Sequence, residues 1–345
     1  MTNKLSAISR QRPAVLNYIW IARPDHWVKN VFLLPGIALA WMFGGTLSFD
    51  LLSRTAIALF SLCLIASANY TINEYLDAAF DQFHPTKRNR PGARGVLKWQ
   101  LVSFQYVLLA CIGLTLAYMI GRMFFYTSAL LLLMGVLYNI EPIRTKDRPY
   151  LDVLSESINN PIRLLLGWFV VIGNALPPSS TILAYWMGGA FLMAMKRYSE
   201  YRQIGNPAIA GSYRKSFRHY TENTLLLSSF FYALNAAFFI GVFLIKYRIE
   251  YVVVLPAITF AFVWYMAIAL KHDSAAAAPE KLYREPRFLA YVSCVWLLLI
   301  GATFVNVPLL QTLIVPVLYE TDGPCQGAFC MPLKSITSNN LFGRP

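Results

Sequence analysis

The sequence predicts an all-α integral membrane protein of about nine transmembrane helices, with its long polar connections gathered on one side of the bilayer. Three observations carry that expectation. Hydrophobic residues make up 57% of the 345-residue chain against 14% charged, and the mean hydropathy is +0.48. Apolar runs of about 20 residues recur, long enough to cross about 30 Å of hydrocarbon as helices, which favours a helical bundle over a barrel. Lys and Arg outnumber Asp and Glu by 30 to 17, and the excess is spread unevenly over the connections.

In chain order the apolar segments fall near residues 27–46, 54–76, 99–120, 123–140, 152–174, 181–199, 222–245, 251–270 and 288–308. The second, sixth and seventh run into polar stretches that can continue as helix beyond the bilayer. The first 25 residues carry Lys4, Arg10, Arg12 and Arg23 without a short apolar core, so a cleavable signal peptide is not expected. With a cytoplasmic N-terminus, 23 of the 30 basic residues fall in the N-terminal arm and in alternate connections. Six fall on the opposite side (Arg54, Arg122, Lys246, Arg248, Lys334 and Arg344), and Arg163 lies within the fifth span. Positive charge is retained on the cytoplasmic side, which orients the N-terminus inside and the C-terminus outside. The expected organisation is a cytoplasmic arm (1–22), a transmembrane domain (23–308) and an extracytoplasmic tail (309–345). Topology thus explains the pI of about 9.5 without nucleic acid as a partner. Cys63, Cys111 and Cys294 read as small core residues, whereas Cys325 and Cys330 lie in the tail at a spacing that permits a disulfide without requiring one.

The best candidate for chemistry is Asn73 to Pro91, N-E-Y-L-D-A-A-F-D-Q-F-H-P-T-K-R-N-R-P, entered directly from the second apolar segment. If the helix continues through it, Asn73, Asp77 and Asp81 recur at i, i+4 and i+8 and line one face about 6 Å apart. Such a face can hold a hard divalent cation. Beyond the break at Pro85, His84, Lys87, Arg88, Arg90 and Arg94 form a cationic cluster suited to phosphate. Together they fit Mg²⁺-diphosphate, because Mg²⁺ takes one or two carboxylates while phosphate and water complete its octahedron. The competing reading is a membrane-edge helix whose acids pair with juxtamembrane Lys and Arg.

A second polar constellation runs from Tyr138 to Arg163. Its loop offers Arg144, Lys146 and Arg148, and its helix places Asp152, Glu156 and Asn159 or Asn160 on one face, with Arg163 a turn deeper. Ionisable groups this deep in a span line a cavity or pair inside the bundle, since exposure to lipid is costly. A third cluster ends the sixth span with Lys196, Arg197, Glu200 and Arg202, followed by Arg214, Lys215, Arg218 and Tyr220. Either these form a third basic wall or they are interfacial ion pairs. The start of the first span, R-P-D-H-W-V-K-N, adds Lys29 and Asn30, with Trp27 read as an interface anchor and His26 as solvent-facing.

The N-E-x-x-D-x-x-x-D helix, the H-P-x-K-x-x-R-P segment after it, the W-V-K-N start and the K-R-Y-x-E end of the sixth span resemble the UbiA-type membrane prenyltransferase superfamily over roughly residues 18–305. Within it they look most like the decaprenyl-phosphate phosphoribosyltransferase branch. The resemblance implies a UbiA-like bundle in a bacterial inner membrane with a cytoplasm-facing polar cavity, in which Asn73, Asp77, Asp81 and Asp152 hold Mg²⁺. Glu74 stands where the first motif usually has Asp, and the second loop is longer and more basic than usual. The implied reaction takes phosphoribosyl diphosphate and a polyprenyl phosphate, with Asn73, Asp77 and Asp81 catalytic. Lys29, Lys87, Arg90, Tyr138, Lys146, Asn160, Arg163, Lys196 and Arg197 would bind the substrates. The lipid phosphate is already anionic, so no general base is required. An oligomer is compatible with this reading. The alternatives are an aromatic prenyltransferase using an allylic diphosphate and, against the one-sided polar groups, a transporter of anionic lipid.

Overall fold

The computed structural model describes residues 14–44, 49–247, 249–271, 274–277, 279–302, 304–307 and 310. Most of the N-terminal arm, Arg248, nearly all of the tail, and with it Cys325, Cys330, Lys334 and Arg344, lie outside these. The helices, in order, are α1 (Ala14–Ile21), α2 (Leu34–Met42), α3 (Phe49–Leu76), α4 (Ala78–Asp81), α5 (Trp99–Ile120), α6 (Arg122–Asn139), α7 (Leu151–Ser157), α8 (Asn159–Val171), α9 (Ser179–Ile204), α10 (Pro207–Tyr213), α11 (Glu222–Tyr247), α12 (Leu255–Ala269) and α13 (Pro286–Ala302). No strand occurs among the described residues.

Among the described residues, five helical stretches are long and apolar enough to cross a membrane: Asp50–Leu76, Trp99–Ile120, Arg122–Asn139, Glu222–Tyr247 and Glu250–Ala269. The other expected segments differ for local reasons. The first begins as a 3₁₀ stretch, Pro24–Leu33, before the nine residues of α2. The fifth breaks at Ile158, because Pro161 has no N–H for the Ser157 carbonyl, and α8 starts afresh. The sixth lies within α9, whose last turns carry Lys196, Arg197, Glu200 and Arg202. The ninth is the 17-residue α13.

Two clusters of buried apolar side chains hold the bundle. Leu33, Leu62, Ile65, Phe124, Leu131, Ile162 and Trp168 join the 3₁₀ stretch to α3, α6 and α8. Val153, Phe191, Met195, Tyr213, Phe217 and Tyr265 join α7, α9, α10 and α12. Small residues set the closest approach, as expected where lipid supplies no hydrophobic drive between helices. A Cβ on Gly167 of α8 would sit 1.9 Å from the Leu33 carbonyl oxygen, and one on Gly36 of α2 would sit 2.0 Å from that of Leu164. Phe104, Val107 and Tyr118 of α5, and Leu227, Phe230, Leu234 and Phe238 of α11, point outward. An apolar face of that extent suits contact with acyl chains.

Candidate functional site

The helical course survives the turn between α3 and α4: the Asp77 amide donates to the Asn73 carbonyl, and the Asp81 amide to that of Asp77, each at 2.9 Å. The i, i+4, i+8 relation is therefore real. Asn73 Nδ2 donates to Asp77 Oδ2 at 3.1 Å and also to Asn139 Oδ1. Asp77 Oδ1 accepts from Arg144 Nη2 at 3.1 Å and from Lys146 Nζ, which reaches Asn139 Oδ1 at 2.7 Å. One turn on, Arg90 Nη1 lies 2.8 Å from Asp81 Oδ2 and 3.7 Å from Glu74 Oε2. Lys87 Nζ donates to Glu200 Oε1 at 3.0 Å and to the Tyr213 hydroxyl, so the α3–α4 end meets α9 and α10. A cleft lined by Asp77, Phe80, Asp81, Arg144, Lys146, Asp147, Tyr213 and Arg214 opens at this meeting point.

Burial and charge tune these groups in opposite directions. Burial would raise the Asp77 carboxyl, but Lys146, Arg214 and Arg144 outweigh it and hold it below its ordinary value. Burial lifts Asp81 above its ordinary value, with Arg90 offsetting only part. Burial lowers the Lys146 ammonium to about 8 despite Asp77. Burial and nearby Lys87 push His84 down to about 4, and its Nδ1 accepts the backbone N–H groups of Thr86 and Lys87 at 3.2 and 3.3 Å. His84 is thus a neutral acceptor that holds the Lys87 turn, not one of the cations expected there.

The helical part of the second constellation forms a denser knot, joined to the first through Glu200. Asp152 is fully buried: Oδ1 accepts from the Tyr220 hydroxyl at 2.7 Å, and Oδ2 from Ser216 Oγ at 3.1 Å, with Arg197 Nε at 3.4 Å. Glu156 Oε2 accepts from the Tyr138 hydroxyl at 2.7 Å and from Arg197 Nη2 at 2.5 Å. Arg197 Nη1 continues to Glu200 Oε2 at 2.9 Å. Lys196 Nζ lies 4.0 Å from Glu156 Oε1. Arg163 donates from Nε to Asn30 Oδ1 and from Nη1 to the Asn159 carbonyl, each at 3.2 Å, tying α8 to the 3₁₀ stretch. Asn160 packs against Gly189 of α9. His26, expected to face solvent, is buried edge-on to Tyr70 and within hydrogen-bonding distance of Arg23 and of Lys29.

The structure therefore brings Asn73, Asp77, Asp81, Lys87, Arg90 and Lys146 together and links them through Glu200 to Tyr138 and Arg197. Asp152 stands behind Arg214, whose Nη1 is 3.8 Å from Asp152 Oδ2. Sequence reasoning passed over Asn139, which bridges Asn73 and Lys146, and Tyr213, which meets Lys87. Both adjoin flagged basic loops, which was the available signal. Arg144 has a φ of +28° and Tyr150 one of +64°, backbone strain that no pattern of side-chain types announces.

A helical membrane bundle with an acidic pair and several cations in one cleft suits the class of membrane-embedded transferases. A sequence profile described as the UbiA prenyltransferase family matches residues 31–292, and the chain belongs to that family. It is accordingly a multi-pass membrane protein. The decaprenyl-phosphate phosphoribosyltransferase of Mycobacterium tuberculosis is 31% identical over 221 residues, spanning 62% of this chain and 70% of that protein. The protoheme IX farnesyltransferase of Geobacillus thermodenitrificans is 28% identical over 180 residues, spanning 50% of this chain and 57% of that protein. A solved UbiA homologue from Archaeoglobus fulgidus bound to GPP and Mg²⁺ superposes with a TM-score of 0.62 at 22% identity, covering 81% of this chain and 99% of that one.

Proposed function

We propose that this chain transfers a 5-phosphoribosyl group from phosphoribosyl diphosphate to a polyprenyl phosphate, in a cytoplasm-facing cavity of a nine-span bundle. The plasma membrane would hold it with the N-terminus inside and the C-terminus outside. The observation that carries the reading is the concentration of cations around Asp77 and Asp81: Lys87, Arg90, Arg144, Lys146 and Arg214 approach one cleft end, with Lys196, Arg197 and Lys29 beyond. One metal-bound diphosphate needs fewer. A donor with a further 5-phosphate and an acceptor with its own phosphate need more. The 31% identity to a decaprenyl-phosphate phosphoribosyltransferase supports the same choice.

Asn73, Asp77 and Asp81 offer hard oxygen donors on one helical course, two of them lining the cleft, and so fit Mg²⁺. Bound there, the metal would supply Lewis acidity to the departing diphosphate. A lipid phosphate oxygen attacks C1 of the ribose, the C1–O bond to diphosphate breaks, and its electron pair leaves with the diphosphate. Lys87, Arg90 and Lys146 hold the leaving group as negative charge builds, which is electrostatic stabilisation by groups already in place. Lys29, Lys196 and Arg197 bind the remaining phosphates.

Incubating the purified chain in detergent with labelled phosphoribosyl diphosphate, polyprenyl phosphate and Mg²⁺ should give labelled lipid. In Lys29→Ala and Lys196→Ala the KM for donor or acceptor should rise about 10- to 150-fold, the loss of one charge-assisted contact of about 1.5–3 kcal/mol. The farnesyltransferase relative favours a second reading, transfer from an allylic diphosphate to an aromatic acceptor. Turnover of that pair in place of the first, with Lys29→Ala and Lys196→Ala both behaving as wild type, would establish it.

A further inference from the structure

The loop between α10 and α11 is fastened at one point. Arg214 Nη1, Ser216 Oγ and the Tyr220 hydroxyl all converge on the Asp152 carboxylate, at 3.8, 3.1 and 2.7 Å. The Tyr220 hydroxyl also accepts the Tyr150 amide at 2.5 Å, closing the knot onto the start of α7. Lys215 fastens the other side, 3.1 Å from Asp147 Oδ2. What this loop delivers to the cleft is Arg214: the residue lines the cleft with Asp77 and Asp81, its Nη1 donates to the Tyr138 hydroxyl at 3.3 Å, and its buried Nε has no hydrogen-bond partner. The chemistry around Asp152 is wrong for a second Mg²⁺. Its two oxygens face two hydroxyl donors and two guanidinium groups, and a divalent cation would have to displace them and then share the space with positive charge.

We propose that Asp152 is a positioning residue that seats Arg214 in the cleft wall, and that the Arg214 guanidinium binds the diphosphate from the side opposite the first acidic motif. The site then holds one metal, on the Asp77 side, and Arg214 supplies the charge on the other side. The proposal rests on the reading of Asp77 and Asp81 as the metal-diphosphate motif. A guanidinium suits the task because its planar fork can meet two phosphate oxygens at once.

The test uses the full chain in detergent with Mn²⁺ and inorganic diphosphate as probes, Mn²⁺ being counted by electron paramagnetic resonance. Wild type should bind one Mn²⁺ per chain. Asp152→Asn and Arg214→Gln should each keep that count and weaken diphosphate about tenfold, the loss of one charge-assisted contact. The double variant should be no weaker than Arg214→Gln alone, because Asp152 acts only through Arg214. Two Mn²⁺ in wild type with one lost in Asp152→Asn, or losses that multiply in the double variant, would overturn the proposal. Should Asp152→Asn fail to fold, Tyr220→Phe loosens the same loop while keeping the carboxylate. Weaker diphosphate binding at an unchanged Mn²⁺ count supports the proposal, and unchanged diphosphate binding refutes it. Failure of the underlying reading has a different signature: Asp77→Asn would then bind Mn²⁺ and diphosphate as wild type does.

Discussion

At the scale of single residues, position along a helix and partner across a cleft contribute separately. Asp77 and Asp81 share a helical course, yet Asp77 is held below its ordinary carboxyl value by Lys146, Arg214 and Arg144, while burial lifts Asp81 despite Arg90. Replacing either by Asn removes a charge but little volume, so Asp77→Asn and Asp81→Asn should insert and fold normally while turnover falls by about 10² to 10³. Full activity of both variants, or of wild type in excess chelator, would take the metal away from this helix. His84 gives a pH-dependent prediction. Its imidazole protonates near 6.5 when unfolded but near 4 when folded, so the unfolded chain takes up the proton first. Stability from this group is complete above about 6.5 and is lost as pH falls toward about 4. Melting temperature in detergent should therefore drop more steeply over that window in wild type than in His84→Asn, which keeps an acceptor but cannot titrate. The Asn73, Asp77, Asp81 face was readable from spacing alone because the helical hydrogen bonding continues across the α3–α4 turn. The setting of Asp152 was not, because i,i+4 spacing states which residues share a face and nothing about Ser216, Tyr220 or Arg214 arriving from 64, 68 and 62 residues away.

At the scale of elements, uninterrupted apolar sequence became uninterrupted helix in α3, α5, α6, α11 and α12, and these were readable. The stretches that build the site were harder to read, since each is broken where it turns polar groups inward: the 3₁₀ run at Pro24–Leu33, the turn at Asp77 and the α7–α8 break. Pro24 and Pro161 punctuate two of them, and a hydropathy window averages over both. The α2–α8 contact depends on absent side chains. Gly167→Ala should destabilise the protein by about 1–3 kcal/mol through overpacking against the Leu33 carbonyl, lowering the melting temperature. Gly173→Ala, with nothing within 4 Å of the added carbon, is the control and should leave it unchanged. Equal melting temperatures for both would mean that the two helices can separate without cost. The same contact orients the 3₁₀ stretch that carries Lys29 and Asn30, so Gly167→Ala should also raise the KM that Lys29→Ala raises.

At the scale of the whole molecule, the orientation we propose puts the N-terminus and the basic loops on one side and the C-terminus on the other. Deleting residues 321–345 should then leave turnover within about twofold of wild type, because that orientation assigns the tail to the side opposite the basic loops. Loss of turnover at normal expression would show that the tail reaches the site or that the orientation is reversed. The pairing of charges has a larger consequence. Lys87 is committed to Glu200, Arg90 to Asp81, Lys146 and Arg144 to Asp77, and Arg197 to Glu156. A polyanion arriving here meets cations that already have counterions, so it binds by exchange rather than by simple addition. Every phosphate that takes a cation leaves a carboxylate unpaired in a poorly solvated place, and a divalent metal is the species that can neutralise that carboxylate. Metal and phosphate therefore load most favourably together, and the site behaves as an ion exchanger, poorly retentive of a bare anion or a bare cation and strongly retentive of the two together.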